Sequence, residues 1–163
     1  MLKKFFLLST ISILFVAGCS DEKTIEERPE LSIDVLQSEI SKLDGVYDVC
    51  IYTEENDTNG LLHKEGGYTD ALSFSIEGIE DYCEDCVNSC DRGTSGGGTI
   101  EIFENENDAI KRNEYLSVFD GSVISSGLHT QVDNIIIRIS SELTASEQQE
   151  WEEKILNIIN ANN

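Results

Sequence analysis

Basic residues are scarce in this chain. Its 163 residues carry 11 Lys and Arg against 32 Asp and Glu, a formal net charge of −21. Nucleic-acid affinity rests on neutralising phosphates with Lys and Arg, so this balance argues against a nucleic-acid partner. It argues equally against docking on anionic lipid headgroups. An acidic surface confers solubility and suits cations or basic protein partners. Histidine is scarce too: His63 and His129 are the only two, both expected in loops. No nucleophile motif accompanies them, and Asp and Glu are too frequent here for any acidic pair to carry information about acid–base work. Catalysis therefore has little support. Long apolar runs are lacking. Residues 5–17 are uncharged and mostly apolar, but a membrane-spanning helix needs roughly 20 such residues. The single proline, Pro29, lies in a charged stretch, and no internal repeat is visible.

The N-terminus has a definite order of parts. Lys3 and Lys4 precede the apolar run, and small residues lead to a cysteine in Val16-Ala17-Gly18-Cys19, after which the chain turns acidic at Asp21 and Glu22. A basic start, a short apolar core and a small-residue end form the signal-peptide pattern. An aliphatic residue and two small residues before Cys resemble the lipobox of bacterial prolipoproteins. The resemblance covers residues 1–19. It implies a diacylglyceryl thioether on Cys19, cleavage after Gly18, and a mature protein held to the outer face of the cell membrane by its lipid. One acyl chain holds a protein only marginally, whereas two anchor it firmly. Cleavage shortens the 163-residue chain by 18 to 145 residues and, by removing two Lys and no acid, takes its net charge to −23. Three segments follow: a signal peptide over residues 1–18, a lipidated Cys with an acidic tether over 19–30, and one domain over 31–163. The eleven tether residues after Cys19 reach at most ~40 Å when extended.

Within the domain, Ser32 can cap a helix to about Leu43, with Ile33, Leu36, Ile40 and Leu43 on one face and Gly45 as its stop. Alternation predicts strands over residues 47–53, 71–77, 99–103 and 132–139. Asn105 caps a helix to about Val118, with Asp108 placed to reach back, and Thr144 with Glu147 forms a capping box for a helix over 145–160. Trp151, Ile155 and Ile158 share the inner face of that helix, with Trp151 most simply a core anchor and a place in a ligand site as the alternative. The order is α-β-β-β-α-β-α. The last two strands flank a helix, which suggests a parallel crossover. The expected fold is α+β, a four-stranded mixed sheet with helices packed on one face. The stretch at 92–99, RGTSGGGT, precedes a strand and lacks the Lys of a phosphate loop, so it reads as a flexible linker.

Two candidate sites stand out. In the loop TEENDTNGLLHKEGG, Glu55, Asp57 and Asn59 alternate and Gly60 follows, resembling the first half of an EF-hand calcium loop. Glu stands where Asp is usual, the closing acid Glu65 comes one residue early, and strands flank the loop. It is therefore no EF-hand, and the reading as an acidic hairpin turned at Asn59-Gly60 stands first, with a looser Ca2+ loop as the alternative. The second site is Cys50 with Cys83, Cys86 and Cys90. With Cys19 lipidated, four thiols remain, which outside the cytoplasm reads first as two disulfides with three possible pairings. Zinc held by these thiolates and a redox-active C-x-x-C are the alternatives. Glu84 and Asp85 between Cys83 and Cys86 work against thiolate chemistry.

The stretches TEENDTNG with the following GGYT, TIEIFENENDAIKRNEYLSVFDG and IIIRISSELTASEQQEWEEKI make the mature part resemble a class of surface lipoproteins of Gram-positive bacteria. That resemblance implies no particular activity and transfers no functional residue beyond Cys19. The expected function is a binding or interaction module on the outer face of the membrane. Calcium-dependent assembly and an envelope redox or metal protein using the 83–90 loop are the alternatives.

Overall fold

The computed structural model describes residues 31–79, 87–122, 125 and 127–162. The signal segment, Cys19, the tether, Cys83 and Cys86 lie outside the described residues. Those described form helices α1 (Ile33–Ile40), α2 (Ser89–Arg92), α3 (Glu106–Ser117) and α4 (Ala145–Asn162). The strands are β1 (Val46–Ile51), β2 (Tyr68–Ile76), β3 (Gly97–Phe103), β4 (Gly127–Val132) and β5 (Ile135–Ser140). The fold is α+β, as expected, but the sheet has five strands in the order β1-β2-β3-β5-β4, and every neighbouring pair is antiparallel.

The expectation of four strands in a mixed sheet fails at one turn. The apolar run at 132–139 breaks at Asp133-Asn134, a two-residue hairpin loop flanked by the Val132–Ile135 pair, and Asp133 takes a left-handed φ of 50°. Short polar side chains tolerate that conformation better than others do. The first arm, β4, is half-buried along its whole length. It therefore shows no apolar alternation for a reader of the sequence to find. Helix α3 does join two strands of the same direction, but these are β3 and β4, with β5 between them.

Local chemistry sets the helix ends. The Ser32 hydroxyl accepts from the Val35 amide, and Asn105 Oδ1 accepts from the Asp108 amide. The Thr144 amide donates to Glu147 at 2.8 Å, and the Glu147 amide donates back to the Thr144 hydroxyl at 3.4 Å, closing the capping box. Helix α1 stops at Ile40, three residues short of expectation. Leu43 still packs on the core from the following turn, and Gly45 reverses the chain with φ 87°.

The two faces of the sheet differ in kind. One carries Leu72, Phe74 and Ile76 of β2, Ile100 and Ile102 of β3, and Ile135, Ile137 and Ile139 of β5. Leu36 and Ile40 of α1 and Trp151, Ile155 and Ile159 of α4 close over it. Trp151 is 7% exposed and its ring lies 6.3 Å from that of Phe74, so it is a core anchor. A fully buried Leu or Ile contributes about 1.5–3 kcal/mol, which makes this layer the main source of stability. The opposite face is covered by α3, α2 and the loop at 53–67, through Leu62, Tyr68, Phe103, Ala109, Leu116 and Ile136. Helices thus lie on both faces rather than one. Helix α3 buries only Ala109 and Leu116, which is why its apolar face is faint in the sequence.

The glycine-rich stretch is a packing device rather than a linker. Gly97 and Gly98 are paired strand residues of β3. A Cβ on Gly98 would overlap the Phe74 ring, and one on Gly97 would overlap the Phe74 carbonyl. The preceding α2 turn is held by a capping box between Asn88 and Asp91.

Candidate functional site

The second face of the sheet carries its polar residues in register. Alternation turns Glu101 of β3 and Arg138 of β5 away from the isoleucine layer, toward α3. Glu101 is fully buried. Arg112 of α3 grips it with two parallel bonds, Nε to Oε2 and Nη2 to Oε1, both 2.8 Å. Arg138 adds a third from Nη1 to Oε1 at 3.1 Å. The two guanidinium side chains are 12% and 11% exposed. Burial works against the charge on Arg112, but the Glu101 carboxylate outweighs it and holds the Arg112 pKa above the ordinary arginine value. Two cations share one carboxylate, so one positive charge is left over in a protein of net charge −21.

Hydrogen-bond accounting locates the excess. Arg112 spends its Nε/Nη2 fork on Glu101. Arg138 spends only Nη1, and its buried Nε has no hydrogen-bond partner. Buried donors are nearly always paired, so an unpaired guanidinium edge is exceptional.

A cleft of about 320 Å³ opens over these two arginines. Its walls include Asn59 from the 53–67 loop, Tyr115 and Phe119 from α3 and the turn after it, and His129 from β4. Tyr115 and Phe119 stand edge to face, 5.2 Å between ring centroids. His129 pairs directly across the sheet with Arg138. Its Nδ1 lies 2.7 Å from Asn113 Oδ1 and its Nε2 3.1 Å from Asp120 Oδ1. Asp120 sits on the solvent side, 58% exposed. His129, expected in a loop, is thus a strand residue held by partners on two sides.

Of the predicted calcium residues, Asn59 lines this cleft and the other three fall outside its lining. Asp57 is occupied as a loop organiser: its Oδ1 accepts from the Asn59 amide at 3.0 Å and the Tyr68 hydroxyl at 2.5 Å, its Oδ2 from the Leu61 and Leu62 amides at 2.7 and 2.8 Å. Burial pushes the Asp57 carboxyl up, but these hydrogen bonds outweigh it and hold the group below the usual carboxylate value. Burial and the bond to Asp57 push the Tyr68 phenol well up. Glu55 and Glu65 are exposed, and among the described residues no group of three or more His, Cys, Asp or Glu side chains is placed to hold a metal ion.

Of the predicted cysteine set, Cys50 at the end of β1 and Cys90 in α2 form a disulfide, with Cα atoms 5.4 Å apart. Cys90 is fully buried. The bridge removes two of the four thiolates that the zinc alternative requires. It also ties α2, and with it the start of β3, to the edge strand.

The sequence did carry a signal for the arginine cleft. Glu101 interrupts TIEIF, and Arg138 interrupts IIIRIS. A charge at an alternate position of an apolar strand points to the opposite face, where burial demands a partner. With only 11 basic residues in the chain, two at one place are informative. Comparison of the chain with protein-family models, with curated proteins and with solved structures yields no match.

Proposed function

We propose that this protein is an extracytoplasmic, lipid-anchored binding module, held to the outer face of a bacterial cell membrane through Cys19. The observation that carries the reading is the sequence of parts at the N-terminus: Lys3 and Lys4, an apolar run of signal-peptide length, then Val16-Ala17-Gly18-Cys19. The Cys50–Cys90 disulfide supports it independently, since such bridges persist in oxidising compartments outside the cytoplasm. Among the described residues no helix is long and apolar enough to cross a membrane. The binding role is supported by the cleft over Arg112 and Arg138, a concave site in the size range of small-ligand pockets. The anchor is tested by feeding labelled palmitate to cells expressing wild type or Cys19→Ser. Wild type takes up label, and Cys19→Ser accumulates as unlabelled precursor. Equal labelling of the two would remove the lipoprotein reading.

A further inference from the structure

We propose that the cleft between α3 and the β4–β5 hairpin binds a small oxyanion, a carboxylate or a phosphate, on the unspent guanidinium edges of Arg138 and Arg112. Three observations converge on it. The pair of arginines exceeds the charge of buried Glu101 by one. Arg138 Nε is buried without an acceptor. Both arginines line the cleft.

The fork geometry determines the ligand class. Guanidinium presents two parallel N–H bonds spaced for two oxygens of one carboxylate or phosphate, and it sheds its hydration more readily than an ammonium does. Arg112 already shows this pairing with Glu101, and the Nε of Arg138, one donor of the same kind of fork, has no acceptor. Chloride, a single sphere, can be shared by both donors of a fork only through bent bonds, and so is held more weakly than two oxygens. Glu101 does not abolish the site. It holds the two planes in place, so the ligand meets donors already oriented, which lowers the ordering cost of binding. Asp120, the nearby acid on the rim, is hydrogen-bonded to His129, and its exposure leaves it well screened by solvent. The edge-to-face pair Tyr115 and Phe119 gives an apolar wall for the body of an organic anion. The strongly acidic remainder of the surface slows the approach of anions, so the site suits a ligand present at high local concentration rather than one captured at trace level.

This assignment deepens the binding-module reading and rests on it, but its test is separate from the anchor test. The lipidated protein in detergent is titrated calorimetrically with sodium phosphate, sodium benzoate and sodium chloride at equal ionic strength. Saturable heat is expected for phosphate, benzoate or both, and markedly weaker binding for chloride; which oxyanion binds separates the phosphate source from the carboxylate one. Arg138→Lys keeps the charge and loses the fork, Arg112→Lys keeps the charge and loses the guanidinium edge left beside Glu101, and each is expected to weaken binding at least about tenfold, equivalent to ~1.4 kcal/mol. Lys154→Gln, a charge removed from the opposite face of the sheet, is expected to leave binding unchanged. Urea unfolding checks that each variant is folded; should Arg138→Lys fail to fold, Arg112→Lys decides. Absence of saturable heat for both oxyanions, meaning solvent alone fills the cleft, overturns the proposal, as does undiminished binding in the folded Lys variants. Should palmitate labelling fail while the titration succeeds, the anion site stands and the anchor falls.

Discussion

Replacing Cys50 and Cys90 together by alanine removes the covalent tie between the edge strand and the start of β3. The bridge closes a loop of 40 residues. In the chain-entropy treatment, 2.1 plus 1.5R ln 40 is about 13 cal/mol/K, so the bridge contributes ~4 kcal/mol at 25 °C. Domains of this size are stable by only about 5–15 kcal/mol, so the double variant loses a large share of its total. With a urea m-value of about 2 kcal/mol/M, the unfolding midpoint falls by ~2 M. The assay is equilibrium urea unfolding followed by far-UV circular dichroism, on wild type and on Cys50→Ala/Cys90→Ala. Using the variant rather than a reductant leaves Cys83 and Cys86 unchanged in both samples. Intact mass of the unfolded protein before and after reduction adds a second readout, two hydrogens for this bridge. Coincident unfolding midpoints, or alkylation of Cys50 and Cys90 in unreduced protein, would refute the reasoning.

Three further outcomes are expected. Asp57→Ala costs about 1.5–3 kcal/mol, the range for a hydrogen bond to a charged group, and lowers the melting temperature equally with and without millimolar calcium; a loss seen only with calcium would revive the metal loop. Because the folded Asp57 carboxyl lies below its ordinary value of 3.8, its contribution is present above that pH and is lost as the pH falls through the lowered folded value. Wild type should therefore lose more stability than Asp57→Ala on acidification below pH 3.8, and parallel acid limbs in urea titrations would contradict this. Glu101→Gln keeps the volume but leaves two buried guanidinium groups without a counter-ion, at a cost of about 3–5 kcal/mol; an unchanged urea midpoint would mean the carboxylate is dispensable. Gly98→Ala drives a methyl group into the Phe74 ring and should cost about 1–3 kcal/mol, read from thermal unfolding. Phe74→Leu in the same chain should recover part of that loss, and no recovery would place the strain elsewhere.

Most helix starts could be read locally, although α1 ends three residues early and the Asn88–Asp91 capping box of α2 was missed. A cap is a contract between residues three apart, so Ser32, Asn105 and the Thr144–Glu147 box announced their helices. Strong alternation placed β1, β2 and β3, because one greasy face suffices to set the period of a strand. The burial of Trp151 followed from its spacing on α4. Tertiary structure alone decided the rest. Strand β4 carries no alternation because neither of its faces is fully buried, and it exists through its pairing with β5. The antiparallel pairing of β4 with β5 follows from a two-residue loop whose meaning depends on both arms. The choice of Cys90 as the partner of Cys50 needed two Cα atoms brought within 5.4 Å across 40 residues. The arginine cleft needed Glu101, Arg112 and Arg138 to meet from three elements, over separations of 11 and 37 residues. Local hydrogen bonds and periodicity act over three or four residues and leave their mark on the sequence. Charge pairing and sheet order act through space, where the free energy of each group depends on neighbours that the chain order does not reveal.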